Sequence, residues 1–435
     1  YNKLPDELLN DKSATAFEGY EKFETEAKVM YVLKVDEDGA LQMASEVFAG
    51  DKAIAILDKT TLYATMGGQV CDNGKLTNDS LEAVVTNVEK DNASKYLHSI
   101  EVVSGSIKAG DSVKVAVDKE RRLSTCRNHS TTHMLQAALR SVLGDHVEQK
   151  GSYVDAERLR FDFTHFSAMT AEEIAKVEDI VNNAILEDMP VVTKVMPIEE
   201  ARKLGAMALF GEKYGAEVRV VSVGDGFSVE FCGGTHLTQT SQAGQFRIIS
   251  ESGVASGVRR IEAVTGKACY ELMKADRATI SDVASTLKVN KDQILKKSES
   301  VLADMKSLEK ELNDMRKAAA GDVAGKAIES ATEINGFKAV VAEIACDDAS
   351  SLRDVADQIR DKIASGVVFL AAPNGDKVLF VAMATADAVK AGIHSGNIIR
   401  EAAKVAGGGG GGRPDMAQAG GKDASKIADA LAKAS

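Results

Sequence analysis

The chain has 435 residues, 44% hydrophobic and 27% charged, the balance of a globular protein that buries several cores in about three domains of ordinary size. Its net charge of -12 argues against a whole surface devoted to nucleic acid, although local basic patches stay open. No stretch approaches the roughly 20 apolar residues of a membrane span, Tyr1-Asn2-Lys3 opens no signal peptide, and five scattered cysteines form no disulfide framework, which points to a reducing, cytoplasmic setting.

Residues 1–24, rich in Glu, Lys and Leu and opening on Tyr1 rather than Met, are expected to be the end of a helical region in a longer protein. Over 25–120 the texture changes to short β-type runs at 29–33, 53–57, 83–86, 98–103 and 112–117. Gly and Asp turns separate them, which predicts a small β-barrel or sandwich. Over 121–268 helical and strand signals mix, an α+β pattern. There Leu159, Phe161 and Phe163 alternate with Arg160 and Asp162, as in a strand with one buried face.

Residues 269–330 read as helical, with almost no glycine and no proline over 275–320. Ile294, Val301, Leu308 and Met315 recur every seven residues, with Met305 and Leu312 in intermediate seam positions and Ser298 spoiling one. That pattern fits a helical hairpin or a dimer coiled coil as well as a helix packed on its own domain. Over 331–435, β-type runs at 338–342, 367–370 and 378–382 alternate with helical stretches, a compact α/β domain. The expected architecture is therefore multidomain α+β.

Two short motifs about a hundred residues apart carry the chemistry. In His129-Ser-Thr-Thr-His133 the imidazoles lie four apart, and the residues after them are apolar at helical spacing, so both rings share one helical face. Cys232-Gly-Gly-Thr-His236 makes a poor helix because of its paired glycines and reads as a tight loop folding two donors toward one point. Three imidazoles and one thiolate are a donor set and number that tetrahedral zinc takes, one ion per chain. The bland alternative is two buried core histidines and an inert thiol. Cys126, three residues before His129, is a rival ligand placed before the helix is established.

A second glycine signal lies near the C-terminus, where Gly407, Gly408, Gly409, Gly410, Gly411 and Gly412 lead into Arg413-Pro-Asp. A flexible linker is one reading; a phosphate-facing loop with Arg413 as clamp is the other. A Walker loop is excluded, since no Gly-Lys-Ser/Thr follows at the required spacing. Among basic residues, Arg121-Arg122 with Arg127, and Arg259-Arg260, sit nearest the metal-type motifs in sequence.

Taken together, the motifs resemble the alanyl-tRNA synthetase family downstream of its aminoacylation domain, over essentially the whole chain. The resemblance rests on Arg127-Asn-His-Ser-Thr-Thr-His133, Gln149-Lys-Gly-Ser152, Arg158-Leu-Arg-Phe-Asp-Phe-Thr-His165, Cys232-Gly-Gly-Thr-His236 and Gly257-Val-Arg-Arg-Ile-Glu-Ala-Val264, in the family's usual order. The run from Gly407 to Asp415 is similar to the glycine motif of the family's C-terminal domain. One departure stands in the barrel: the family's Tyr-Ala-Glu-Ser-Gly-Gly-Gln is here Tyr63-Ala-Thr65-Met66-Gly67-Gly68-Gln69, which removes an acidic side chain.

The resemblance implies a zinc-bearing editing domain that hydrolyses Ser-tRNA(Ala) and Gly-tRNA(Ala), with ATP and magnesium confined to an aminoacylation domain outside this chain. It assigns His129, His133, Cys232 and His236 as ligands, Cys232 being the one expected to be displaced by substrate or water. Cys232, Gln149 and Thr132 are the candidate catalytic residues, and His165 could line the cleft. Arg259, Arg260, Gly407–Gly412 and Arg413 are candidate tRNA contacts. The implied partners are tRNA(Ala) and a second copy, through the helical segment and C-terminal domain, with no membrane and no DNA. Two alternatives stay open: a free-standing aminoacyl-tRNA deacylase, and a tRNA-binding module whose zinc is structural.

Overall fold

The computed structural model describes residues 4–208 and 214–434. The chain divides into two compact units, 1–279 and 280–435, each described by itself. No helix among the described residues is long and apolar enough to cross a membrane.

The first unit begins with a barrel. In spatial order its seven-stranded sheet runs Ser112–Val117, Gly74–Thr77, Glu82–Lys90, Tyr96–Ser104, Lys52–Leu57, Glu24–Val35 and Leu41–Met43. Ser112–Val117 also pairs with Glu24–Val35, which closes the sheet and leaves those strands no free edge. Alternating Val, Ile, Leu and Ala fill the interior, among them Val29, Val85, Ile100 and Val113. The expected helical ending at 1–24 differs: among the described residues of this stretch only Asp6–Asn10 is helical. Its Leu8 packs on Leu33, Ile54, Ile56 and Leu97, so the segment is held by the barrel.

The barrel hands over to a 25-residue helix, Lys119–Leu143. Asp118 caps its start by accepting from the Arg121 N–H, and Gly144 follows its last turn. Met134, Leu135, Ala138 and Leu139 on this helix are fully buried, each large side chain contributing about 1.5–3 kcal/mol. The same helix buries Asn128, His129, Ser130, Thr131, Thr132 and His133, an expensive polar run for a merely structural helix. It packs with Ala171–Leu186 against an antiparallel sheet ordered Gln149–Val154, Leu159–Thr164, Val258–Thr265, Phe246–Ala255. A second sheet, Val191–Pro197, Glu217–Val223 and Ser228–Phe231, ends at the Cys232 loop.

Barrel and helix are locked by a buried ion pair. Arg122 grips Asp72 through Nε, 3.0 Å from both carboxylate oxygens, and through Nη2 at 2.6 Å from Oδ2, while Nη1 and Nη2 donate to the carbonyls of Gly19 and Thr61 at 2.7 Å. With the two side chains only 4% and 3% exposed, removing one partner alone costs about 3–5 kcal/mol.

The second unit contains the helix Ile294–Glu329 and a six-stranded sheet. The sheet is ordered Thr332–Ile334, Phe337–Glu343, Gly366–Asn374, Lys377–Ala384, Met416–Gly421, Gly409–Gly412. Its one parallel pair, Phe337–Glu343 with Gly366–Asn374, is joined by the crossover helix Ala349–Ile363. That helix and Ala320, Ala324 and Ala327 cover one face. The helices Ser395–Val405 and Ile427–Ala434 cover the other.

Upstream of Ala320 the seam residues Met305, Leu308, Leu312 and Met315 are exposed, while Ile294 and Val301 are half-buried, so the stretch from Met305 to Met315 is not packed on its own domain. The glycine run is neither linker nor loop along most of its length. Gly409–Gly412 is an edge strand paired with Met416–Gly421, where Ala417 and Ala419 are small enough to let the two backbones close up.

Candidate metal centre

One turn of the helix Lys119–Leu143 places the His129 and His133 rings in edge contact. The loop after Ser228–Phe231 brings Cys232 and His236 against them, and ligand atoms of all four residues lie within 4.8 Å of one another. Cys232 Sγ is 3.3 Å from His129 Nε2 and 3.2 Å from His236 Nε2. Bond lengths of about 2.3 Å to sulfur and 2.0–2.1 Å to nitrogen put S···N at about 3.5 Å across a tetrahedron, close to what is found.

The outer ring nitrogens fix which way the lone pairs point. His129 Nδ1 donates to Gln69 Oε1 at 2.7 Å, leaving Nε2 an inward acceptor. His236 Nδ1 lies 3.0 Å from Ser130 Oγ. His133 Nδ1 is 3.1 Å from Glu230 Oε2 but off the hydrogen-bonding direction. Two Nε2 atoms face one sulfur, and the buried His133 Nδ1 finds no hydrogen-bond partner. This donor set, at separations close to those across a tetrahedral shell, fits zinc.

Burial sets the electrostatics. It pulls His129 down to about 3 and, with neighbouring imidazoles and the Arg219 guanidinium, takes His133 and His236 well below the ordinary imidazole range. It also pushes the Cys232 thiol up to about 12 and the Glu230 carboxyl up to about 8. Neutral imidazoles are what a metal requires, and a divalent cation reverses the thiol's preference for its proton. The Gly234 N–H already donates to the Cys232 sulfur at 3.4 Å.

The loop is held from the barrel side, by the Tyr63–Gln69 motif, whose contact with the metal-type donors the sequence did not mark. Gly67 and Gly68 take φ of +60° and +87° in a two-residue turn closed by paired bonds between Met66 and Gln69. That turn delivers Gln69, whose Oε1 also accepts from Thr235 N at 3.0 Å and whose Nε2 donates to Thr235 Oγ1 at 2.7 Å. Thr65 and Met66, where the family has an acid, leave this geometry intact. A Cβ on Gly234 would fall on the His129 ring and on Gln69 Oε1. Arg219 donates to the carbonyls of Cys232 and Gly234, Tyr20 donates to that of Gly233, and the Arg219 guanidinium lies 3.8 Å from the Tyr20 ring centroid.

A cavity of about 360 Å³ opens on the centre, lined by His129, His133, Cys232, Thr132, Gln149 and Glu230 among others. Thr132 donates its hydroxyl to Asn128 O at 2.8 Å, and its oxygen keeps lone pairs for the cavity. Cys126 stays outside the cluster, its thiol donating to Thr235 Oγ1 at 3.3 Å. His165 is buried against His146. Arg259 is paired with Glu251, and Arg260 with both oxygens of Asp162 at 2.8 and 3.0 Å, so each charge has a carboxylate partner inside the fold. Gly407–Gly412 and Arg413 lie in the other unit, Arg413 exposed beside Asp415.

Three family profiles match the chain: tRNA synthetases class II (A) over 2–121, the threonyl and alanyl tRNA synthetase second additional domain over 218–262, and the DHHA1 domain over 336–435. The alanine--tRNA ligase of Acetivibrio thermocellus is 52% identical over 435 residues, which is 100% of this chain and 48% of that protein. That of Clostridioides difficile is 49% identical over 421 residues, 97% of this chain and 47% of that protein. The solved C-Ala domain of Aquifex aeolicus alanyl-tRNA synthetase is 33% identical and covers 24% of this chain and 92% of its own, at a TM-score of 0.22 that carries no fold argument. The first two profiles are those of aminoacyl-tRNA synthetases. The chain belongs to the alanyl-tRNA synthetase family, and it spans about half the length of the curated relatives it matches.

Proposed function

We propose that the chain is the portion of an alanine--tRNA ligase that edits mischarged tRNA(Ala), hydrolysing Ser-tRNA(Ala) and Gly-tRNA(Ala). A pocket sized for alanine excludes glycine poorly and cannot strongly reject an added hydroxyl, so a second site must destroy the wrong ester. The observation that carries this reading is the cavity itself: three of the four metal-type donors share its wall with Thr132 and Gln149. Zinc bound there supplies a Lewis acid for an ester carbonyl or a water. Thr132 accepts a hydrogen bond from a seryl hydroxyl, and the Gln149 amide offers both a donor and an acceptor to the aminoacyl group. Gln69, Ser130 and Glu230 orient the imidazoles, and Tyr20 and Arg219 hold the Cys232 loop.

The proposal extends to the rest of the chain. The edge strand Gly409–Gly412 with Arg413, Lys404 and Lys422 gives backbone donors and positive charge for the outer corner of tRNA(Ala), and such contacts weaken as salt rises. The exposed seam from Met305 to Met315 suits a homodimer. Attachment of alanine with ATP and magnesium falls to the half of the relatives that this chain does not match. A reducing, cytoplasmic setting suits the free cysteines.

The test is deacylation by the purified chain. Ser-tRNA(Ala) should be hydrolysed and Ala-tRNA(Ala) largely spared, with the activity lost in Cys232→Ala. Tight tRNA binding with no hydrolysis of either ester would instead support the binding module with a structural zinc, which a closed four-donor shell also permits.

A further inference from the structure

The helix face that carries the two imidazoles continues past them along the cavity wall. His129, Thr132, His133 and Gln136 follow one another at the spacing of a single face, and all four line the cavity. At 1.5 Å per residue, Gln136 stands about 4.5 Å beyond His133 along the helix axis. Its side chain is 4% exposed, so this amide belongs to the wall and not to the outer surface.

The amide is only half used. Gln136 Nε2 donates to Met207 Sδ at 3.4 Å. A thioether accepts hydrogen bonds and has none to give, so this contact fixes which end of the amide is the nitrogen. Met207 is itself held: its N–H donates to Val229 O and its carbonyl accepts from Phe231 N, each at 2.9 Å. These bonds tie it alongside Glu230, in the strand that leads to Cys232. With the nitrogen committed to sulfur, Oε1 is the end left over, and no group among the described residues donates to it. It is not sealed in the core either, so it opens on the cavity. A buried amide with a weak partner for its nitrogen and none for its oxygen calls for a donor from outside the fold.

We infer that Gln136 Oε1 accepts a hydrogen bond from the ribose hydroxyl next to the ester, on the terminal nucleoside of an aminoacylated RNA held at the metal centre. The inference deepens the editing reading and rests on it. A seryl ester on a terminal ribose has three donors near the scissile bond: the α-ammonium, the seryl hydroxyl and the free hydroxyl on the neighbouring ribose carbon. The ammonium is matched by carboxylates of the same wall, Glu148 and Glu230. The seryl hydroxyl falls to Thr132. The neutral ribose hydroxyl is the donor that remains, and Gln136 is the unspent acceptor one helical turn from Thr132. That hydroxyl sits on the carbon beside the one bearing the ester, so a carbonyl at the centre brings it to the next step of the helix face. At the terminal sugar RNA differs from DNA in this hydroxyl, so Gln136 makes the cavity read a ribose end.

The experiment uses the full zinc-loaded chain and acceptor-stem hairpins of tRNA(Ala) with serine on the 3′ oxygen of a terminal adenosine or a terminal 2′-deoxyadenosine. The readout is the ratio of kcat/KM on the two ends; the intrinsic reactivity of each ester cancels when chains are compared. Gln136→Met, close in length and without the amide, should lower kcat/KM on the ribose end about 5- to 150-fold, the range an unmade buried hydrogen bond gives. On the deoxyribose end it should agree with wild type within about two-fold, because the partner is already gone. Gln136→Glu, which keeps an acceptor oxygen, should keep the wild-type ratio within about two-fold. Zinc content equal to that of wild type confirms that each variant keeps its fold. A wild-type chain that leaves the seryl ester intact overturns the editing reading and this one with it. A wild type that hydrolyses the ester, with Gln136→Met unchanged on the ribose end or lowered equally on both, overturns the hydroxyl contact alone. A Gln136→Glu chain that loses the ratio overturns the accepting role of Oε1.

Discussion

In the first unit, Gly234 is kept small by what lies against it from outside its own strand and loop: the His129 ring and the Gln69 amide occupy the place a Cβ would take. In the second unit, Gly410 and Gly412 are kept small by their own partner strand, where Ala419 and Ala417 stand in the way. The first arrangement brings polar atoms from a helix, a loop and a barrel turn to one point. The second brings two backbones together and places no titratable side chain between them. Glycine adjacency in sequence therefore says little until the neighbour is known: against an imidazole it marks a site, against an alanine it marks a sheet edge.

The steric constraint set by an imidazole lies inside the Cys232 loop. Gly234→Ala should lower zinc affinity by about 100-fold or more, since it displaces both a ligand and the amide that orients it. Gly233→Ala, where a Cβ meets nothing within 4 Å, should leave the metal in place. Equal zinc affinity in the two variants, measured by competition with a chelator, would remove the steric argument.

The second prediction uses acid to separate the units. His98 is buried in the barrel, its Nδ1 donating to Ala55 O at 3.1 Å and its Nε2 accepting from Thr60 at 2.9 Å, and burial pulls it down to about 4. An unfolded chain takes up that proton near pH 6.5. Because the folded value is the lower one, the contribution is fully present above about pH 6.5 and is lost as pH falls toward 4, by about 3 kcal/mol in all. The second unit's His394 is only half-buried. Denaturant unfolding of the first unit at pH 7 and pH 4 should therefore show a smaller acid loss in His98→Gln than in wild type. The same acid loss in both would show that His98 is protonated in the fold.

The smallest effects belong to the edge strand. Gly410→Val should destabilise the second unit by about 1–3 kcal/mol through overpacking on Ala419. Gly409→Ala has open space and no left-handed backbone, and should stabilise by about 0.4–1 kcal/mol through the unfolded chain. Neither should change zinc content. Thermal melts that ranked them the other way would mean that the strand is not paired as described.

Much of this was legible in the residues, and the failures have physical causes. The period-four imidazoles, the Cys-Gly-Gly-Thr-His loop and the five barrel runs all rest on short-range spacing, and each lies where that spacing puts it. The strand Gly74–Thr77 escaped because its four residues, Gly-Lys-Leu-Thr, carry little β signal and are held by pairing on both sides. The pairing of Gln69, named only as part of the barrel motif, with the metal-type donors was also missed. Gln69 meets Thr235 across 166 positions of chain, and no local period records that. A clue did exist, since the residue after a Gly-Gly turn is the one such a turn presents. Gly409–Gly412 read as a loop because glycine disfavours strands; the pairing opposite Ala417 and Ala419 overrode that preference.

The central claim is that His129, His133, Cys232 and His236 form one zinc site whose geometry the barrel completes. Metal content measured on the purified chain and on a His129→Ala/His133→Ala variant tests it most directly, with circular dichroism confirming that the variant is folded. The account predicts about one zinc per chain in the wild type and none in the folded variant. Stoichiometric zinc persisting in that variant, or a wild-type chain that takes up no zinc, would contradict it.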